Sequence, residues 1–276
     1  MKLFYVNGGG LGHLNRFLSY IYYKEYNYEE CVVITNSRYI NYLPKAIKIL
    51  QYERAIFKDS EAFFTILTQL LDTYSIEEFV VDVFPAGLYG ELYNIDVLAV
   101  KKTLLARIIK PTYFFRNKII PKYDTIFQFE EGVSLESYNY DNVVPIKIEK
   151  RLFTCSNTQA YRLQTSSPFF LIMHSAPEKE LLNLYSMALT HREKNEHIYI
   201  QTFCTSLKSK INDEHVTVIE NEKPILELIE KSDKIFTGCG FNTFWSLEKY
   251  RDKHFILPFH RLYDDQKKRK EMFVNV

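Results

Sequence analysis

Short apolar runs alternate with longer amphipathic stretches along this chain, and the pattern is played out twice. In the first half the runs fall at residues 3–6, 31–34, 79–83, 103–106 (the weakest) and 125–129. In the second half they fall at 169–173, 198–202, 216–219, 234–236 and 255–257. The stretches between keep helical spacing, as with Phe63, Phe64, Leu67, Leu70 and Leu71. Short buried strands separated by helices predict parallel α/β construction, because a parallel pair needs a crossover and the crossover is usually a helix. The two series are separated by a polar, turn-rich segment with no apolar period. We therefore expect an N-terminal domain over 1–153, a linker over 154–168 and a C-terminal domain over 169–276.

Composition narrows the function classes. The 276 residues are 46% apolar and 25% charged, enough for a sizeable core. The net charge of +1 gives no general attraction for nucleic acid, and no nucleic-acid partner is expected. Cys31, Cys155, Cys204 and Cys239 have neither metal-ligand nor redox spacing, so reduced thiols and a cytoplasmic setting are expected. No stretch approaches the roughly 20 apolar residues of a membrane span. Residues 101–122 hold seven basic side chains and no acid, with apolar residues interleaved. Such a stretch can lie on an anionic membrane face, although Pro111 and Pro121 interrupt any long helix, and a strand with solvated lysines is the simpler reading.

Two loops carry the candidate chemistry. Gly8-Gly9-Gly10-Leu11-Gly12-His13 joins the first strand to the first helix. Glycines there allow the backbone close to a ligand, but the third glycine of the dinucleotide fingerprint is absent, which disfavours an NAD site. His13 stands at the loop's end, where an imidazole titrating near neutrality can take a proton from a hydroxyl or cap the helix. The run at 79–83 carries Asp82, a carboxylate able to orient that imidazole or to cap the turn before Pro85. The second loop, Thr237-Gly238-Cys239-Gly240-Phe241-Asn242-Thr243, again follows a strand and opens a helix, an arrangement that favours anions. Ser175-Ala176-Pro177-Glu178 predicts a capping box, and residues 264–271 a solvated charged helix.

Gly10-Leu11-Gly12-His13-Leu14-Asn15-Arg16 resembles the G-x-G-H-x-x-R opening of the GT-B-fold glycosyltransferases. It is most like a bacterial group distantly similar to UDP-glycosyltransferases and to the lipid-intermediate glycosyltransferase of peptidoglycan synthesis. A related opening occurs in nucleotide-sugar hydrolases of nonulosonic-acid synthesis. Residues 82–92 resemble the D-x-x-P-x-G-x-x-x-E-L stretch of that bacterial group, and Pro258, Gln266 and Arg269 match its P-x7-Q-x-x-R pattern.

The resemblance implies two Rossmann-like domains facing across a cleft. It implies an inverting transfer from a nucleotide-diphosphate sugar to a hydroxyl, with His13 as base and Asp82 behind it. Gly10, Gly12, Arg16, Glu91 and Arg107 are implied on the acceptor side. Gly238, Gly240, Asn242 and Thr243 are implied to hold the diphosphate, Gln266 to reach the sugar, and Asp265 to assist. No cofactor or metal is implied, and a lipid-linked acceptor would place the enzyme at the inner membrane face.

Departures from the pattern keep rivals open. Ser246 stands where the group has a ribose-binding acid, and His174-Ser175-Ala176-Pro177 replaces an expected glycine-rich loop. The rivals are a nucleotide-sugar hydrolase using water at the same histidine, and a non-catalytic partner protein of the same fold.

Overall fold

The computed structural model describes residues 1–8, 10–146, 168–175, 177–220 and 226–274. The chain forms two compact units: Met1–Glu149 with Leu262–Asp265, and Lys150–Arg261 with Gln266–Val276. Gly9, Cys155, Ala176, Pro224 and all of the expected linker but Pro168 lie outside the described residues.

In chain order the first unit contains β1 (Lys2–Val6), α1 (Leu11–Tyr23), β2 (Cys31–Thr35), β3 (Lys48–Gln51), α2 (Arg54–Lys58), α3 (Ser60–Thr73) and β4 (Glu78–Asp82). There follow β5 (Lys101–Ala106), α4 (Pro111–Arg116), β6 (Lys122–Gln128) and β7 (Asn139–Pro145). The sheet is parallel, in the order β3-β2-β1-β4-β5-β6-β7. Every residue of β2 and β4 is buried, as a central strand covered on both faces requires. The chain runs outward from β1 through β2 and β3, then returns to β4 on the other side of β1. That reversal opens a crevice at the carboxyl ends of β1 and β4, the usual ligand position in such sheets.

The second unit contains β8 (Phe169–Met173), α5 (Glu178–Thr190), β9 (His197–Thr202), β10 (Val216–Glu220), α6 (Leu226–Lys231), β11 (Lys234–Gly238), α7 (Phe241–Ser246), β12 (His254–Leu257) and α8 (Gln266–Val274). Its parallel sheet runs β10-β9-β8-β11-β12, so its own reversal lies between β8 and β11. Phe169, Leu171 and Met173 pack in one cluster and Phe170 and Ile172 in another, which places core on both faces.

Three expectations are corrected. The C-terminal domain does not keep residues 169–276 whole, because Leu262–Asp265 belongs to the first unit. There Asp264 forms an antiparallel bridge with Ile109, and the Tyr263 ring packs 5.1 Å from Tyr113 and 5.8 Å from Phe84. The capping box does not form: Pro177 is the N-cap of α5 and supplies no side-chain bond. Glu178 instead accepts from Ser206 and Lys210.

The tail is not merely solvated. Arg269 is 0% exposed and donates to the Cys239 carbonyl at 2.9 Å, and Gln266, one helical step before it on the same face, is also buried. The stretch 101–122 follows the simpler reading, a buried strand with exposed lysines. Acids from elsewhere in the unit reach Lys101 (Glu78), Arg107 (Asp264) and Lys122 (Asp141), and β5 is buried over Thr103–Ala106, though Phe115 and Ile119 stay exposed. Among the described residues no helix is long and apolar enough to cross a membrane. Cys31 and Cys239 are buried free thiols and Cys204 is half-buried.

Candidate functional site

The crevice of the first unit holds an imidazole, a carboxylate and a guanidinium in mutual contact. His13 lies in the first turn of α1, whose N-cap is Gly10. Asp82 is the last residue of β4, and adjacency of β1 and β4 brings the two together. His13 Nδ1 is 2.5 Å from Asp82 Oδ2. Arg16, three residues after His13 and so on the same helix face, donates to the other oxygen, Oδ1, from Nε at 2.8 Å and to Oδ2 from Nη2 at 2.8 Å. With Asp82 accepting at Nδ1, the imidazole keeps its proton there and presents Nε2 as the basic nitrogen.

Burial decides the electrostatics. Asp82 is 1% exposed, which alone would raise its pKa, yet Arg16 and His13 outweigh that and hold the carboxyl at about 2. For His13 burial is the larger influence and lowers the pKa below 6.5. The Asp82 charge pulls it up, and Arg16 and Arg107 push it down again. A neutral imidazole at neutral pH results, as a general base requires.

The backbone around the pair is specialised. Val83 has φ +72°, in the left-handed region that a β-branched residue rarely enters, at a cost of about 1–3 kcal/mol. Phe84 N donates back to the Asp82 carbonyl at 2.9 Å, so the chain turns sharply just after the carboxylate. The turn sets the Phe84 ring 6.0 Å from the imidazole.

Gly8 is bare for a steric reason, since a β-carbon there would fall 2.2 Å from His13 Cδ2 and 2.4 Å from Nε2. Gly8→Ala should therefore drive the ring off Asp82. The low-field proton NMR signal of the His13–Asp82 hydrogen bond is expected in the wild type and lost in the variant. A retained signal would show that the loop yields instead.

The remaining expected residues divide. Gly12 lies within α1, beside His13. Glu91 is buried and accepts from Tyr5, from Asn7 at 3.1 Å and from the Leu88 and Tyr89 amides. It pins the turn at Gly87, where φ is +79° and a β-carbon would meet Glu91 at 2.3 Å. Arg107 is buried against Asp264. Asp265 lies in the first-unit segment, next to Asp264.

In the second unit Gly238 ends β11 and Gly240 is the N-cap of α7, with open space where its β-carbon would stand. Asn242 and Thr243 sit in the first turn of α7, half-buried. Gln266 Oε1 accepts from the Phe259 amide at 2.9 Å, which ties the start of α8 to the segment after β12. Sequence reasoning missed Glu180, which bonds both His174 and Arg261 in this unit, and it missed the strained turn at Val83. No sequence signal marks the last of these, because a β-branched valine disfavours positive φ.

No family model matches the chain, and no curated protein matches it by sequence. Its fold does match solved structures. A spinosyn rhamnosyltransferase in complex with thymidine diphosphate aligns with TM-score 0.59 at 10% identity, over 94% of this chain and 81% of that one. The glycosyltransferase SnogD from Streptomyces nogalater gives 0.59 at 11% identity, over 100% and 84%. The UDP-GlcNAc 2-epimerase from Neisseria meningitidis, bound to UDP-GlcNAc, gives 0.61 at 11% identity, over 100% and 85%. At such identities the likeness establishes the fold, two parallel α/β units of the GT-B type.

Proposed function

We propose that this protein acts on nucleotide-diphosphate sugars and transfers the sugar to a hydroxyl acceptor, with His13 as general base. The observation that carries the reading is the His13–Asp82–Arg16 constellation at the crevice of the first sheet. The acceptor hydroxyl gives its proton to His13 Nε2 while its oxygen bonds to the anomeric carbon. The bond from that carbon to the diphosphate oxygen breaks, and the nucleoside diphosphate leaves with the electron pair. Attack opposite the leaving group inverts the anomeric centre. Asp82 holds the imidazole and stabilises its protonated form, and Arg16 keeps Asp82 ionised. The loop at residues 238–243 is assigned to the diphosphate. The reading invokes no metal and no cofactor.

The 2-epimerase among the neighbours favours a second reading, chemistry on the nucleotide sugar with no separate acceptor. Water at His13 would then give hydrolysis. Two measurements separate these cases. A nucleoside diphosphate at 100 times its dissociation constant should raise stability by about 2.7 kcal/mol. Thermal shifts with UDP and thymidine diphosphate test this, and the absence of any shift at millimolar ligand counts against both enzymatic readings. Nucleotide release that depends on an added hydroxyl acceptor supports transfer. Release at the same rate without one supports hydrolysis.

A further inference from the structure

The second unit contains its own imidazole–carboxylate–guanidinium set, at its own sheet reversal. His174 directly follows β8, and Gly238 ends the neighbouring β11. A β-carbon on Gly238 would come within 3.1 Å of His174 Cε1 and 3.2 Å of Nδ1, so the imidazole edge lies against the start of the loop at 238–243. His174 Nε2 is 2.7 Å from Glu180 Oε2, in the first turn of α5. Arg261, after β12, grips the same carboxylate with both arms: Nη1 to Oε1 at 2.5 Å and Nη2 to Oε2 at 2.6 Å. The Phe259 ring backs the imidazole at 5.1 Å. Three strand ends thus deliver His174, Gly238 and Arg261 to one place.

The two sets are built alike but differ in exposure, and exposure decides their use. In the first unit the guanidinium is 3% exposed, sealed against Asp82, and serves the imidazole. In the second, Arg261 is 32% exposed, so its charge reaches solvent at the crevice. Burial alone would raise the Glu180 pKa. Arg261 and His174 overcome that and keep it ionised, which fixes both of its partners in position. The β8 side of this reversal has no glycine loop of the kind that opens α7. The residue opening α5 is Pro177, which has no N–H to give, and no glycine follows β8. A doubly charged diphosphate at this reversal is attracted by positive charge, and a guanidinium is the side chain best matched to phosphate.

We propose that His174 and Arg261, organised by Glu180, form the diphosphate-reading element of the second unit, supplying with side chains the donors that a glycine-rich loop would supply with backbone. This rests on reading the second unit as a nucleoside-diphosphate site.

Calorimetric titration of the full chain with UDP, thymidine diphosphate, inorganic pyrophosphate and uridine tests it. Arg261→Gln should weaken each nucleoside diphosphate and pyrophosphate at least tenfold, and His174→Gln about fivefold. Arg261→Lys should recover part of the loss. Arg192→Gln removes a guanidinium bound to Asp213 elsewhere in the same unit and should bind as the wild type does. The preference for UDP over uridine should shrink in Arg261→Gln, which a purely structural role would not cause. Thermal melts check that each variant folds. If Arg261→Gln does not fold, Arg261→Lys and His174→Gln carry the test. Unchanged diphosphate affinity in the folded variants would overturn the proposal and leave the nucleotide site standing. A wild type that binds neither nucleoside diphosphates nor pyrophosphate would overturn the nucleotide reading, and this proposal with it.

Discussion

Asp82→Asn is expected to cost about 3–5 kcal/mol of stability, the penalty for stranding a buried charge. Arg16 is the charge left stranded, because it is 3% exposed and spends both Nε and Nη2 on the two Asp82 oxygens. Urea denaturation of wild type and variant at neutral pH reads the difference. The pH dependence follows from the same pair. Asp82 is depressed from 3.8 to about 2 on folding, so its contribution is fully present above pH 3.8 and is lost as the pH falls toward 2. That contribution amounts to about 2 kcal/mol, and the acid limb of the stability profile should flatten by that amount in Asp82→Asn. The double variant Arg16→Met, Asp82→Leu removes both charges and should recover much of the stability while restoring no activity. A single variant within 0.5 kcal/mol of wild type would show that water reaches Arg16 and that the pair is no structural anchor.

Legibility in the sequence tracked burial and sequence distance. The central strands β1, β2, β4 and β8 are almost wholly buried and announce themselves as apolar runs. The edge strands β3 and β7 escaped notice because an edge needs less core: Asn139–Pro145 carries Asn, Asp and Pro and is largely exposed. His13 and Asp82 were legible because one opens the helix after the first strand and the other ends a strand, and the family resemblance paired them; the β1–β4 adjacency brings them together. Arg16 appeared in the motif, but its service to Asp82 depends on a contact 66 residues away. Glu180 and Arg261 meet across 81 residues, and no local pattern announces such a pair. The acid partners of the acid-free run at 101–122 were hidden for the same reason, since they arrive from Glu78, Asp141 and Asp264. Tertiary neutralisation of a charge run cannot be read from the run itself.

His13→Ala should lower turnover by about 10²–10⁴-fold, the usual contribution of a positioned general base. Nucleotide release from the best of a panel of UDP- and thymidine-diphosphate sugars, with acceptor present, is the assay. Stability should fall far less than in Asp82→Asn, because Asp82 keeps Arg16 when the imidazole is gone. That contrast separates chemistry from architecture: one substitution removes the proton acceptor, the other its foundation. The pH profile adds a second criterion. Burial, aided by Arg16 and Arg107, lowers the His13 pKa from 6.5 against the pull of Asp82. The neutral, active form therefore persists below pH 6.5, and the rate falls only as the pH drops through that lowered value. Removing the pull of Asp82 while keeping the imidazole, in any Asp82→Asn protein that still folds, should move this limb further toward acid. A His13→Ala protein within tenfold of the wild-type rate, with the acid limb in place, would assign the proton transfer to another group and leave His13 as a structural partner of Asp82.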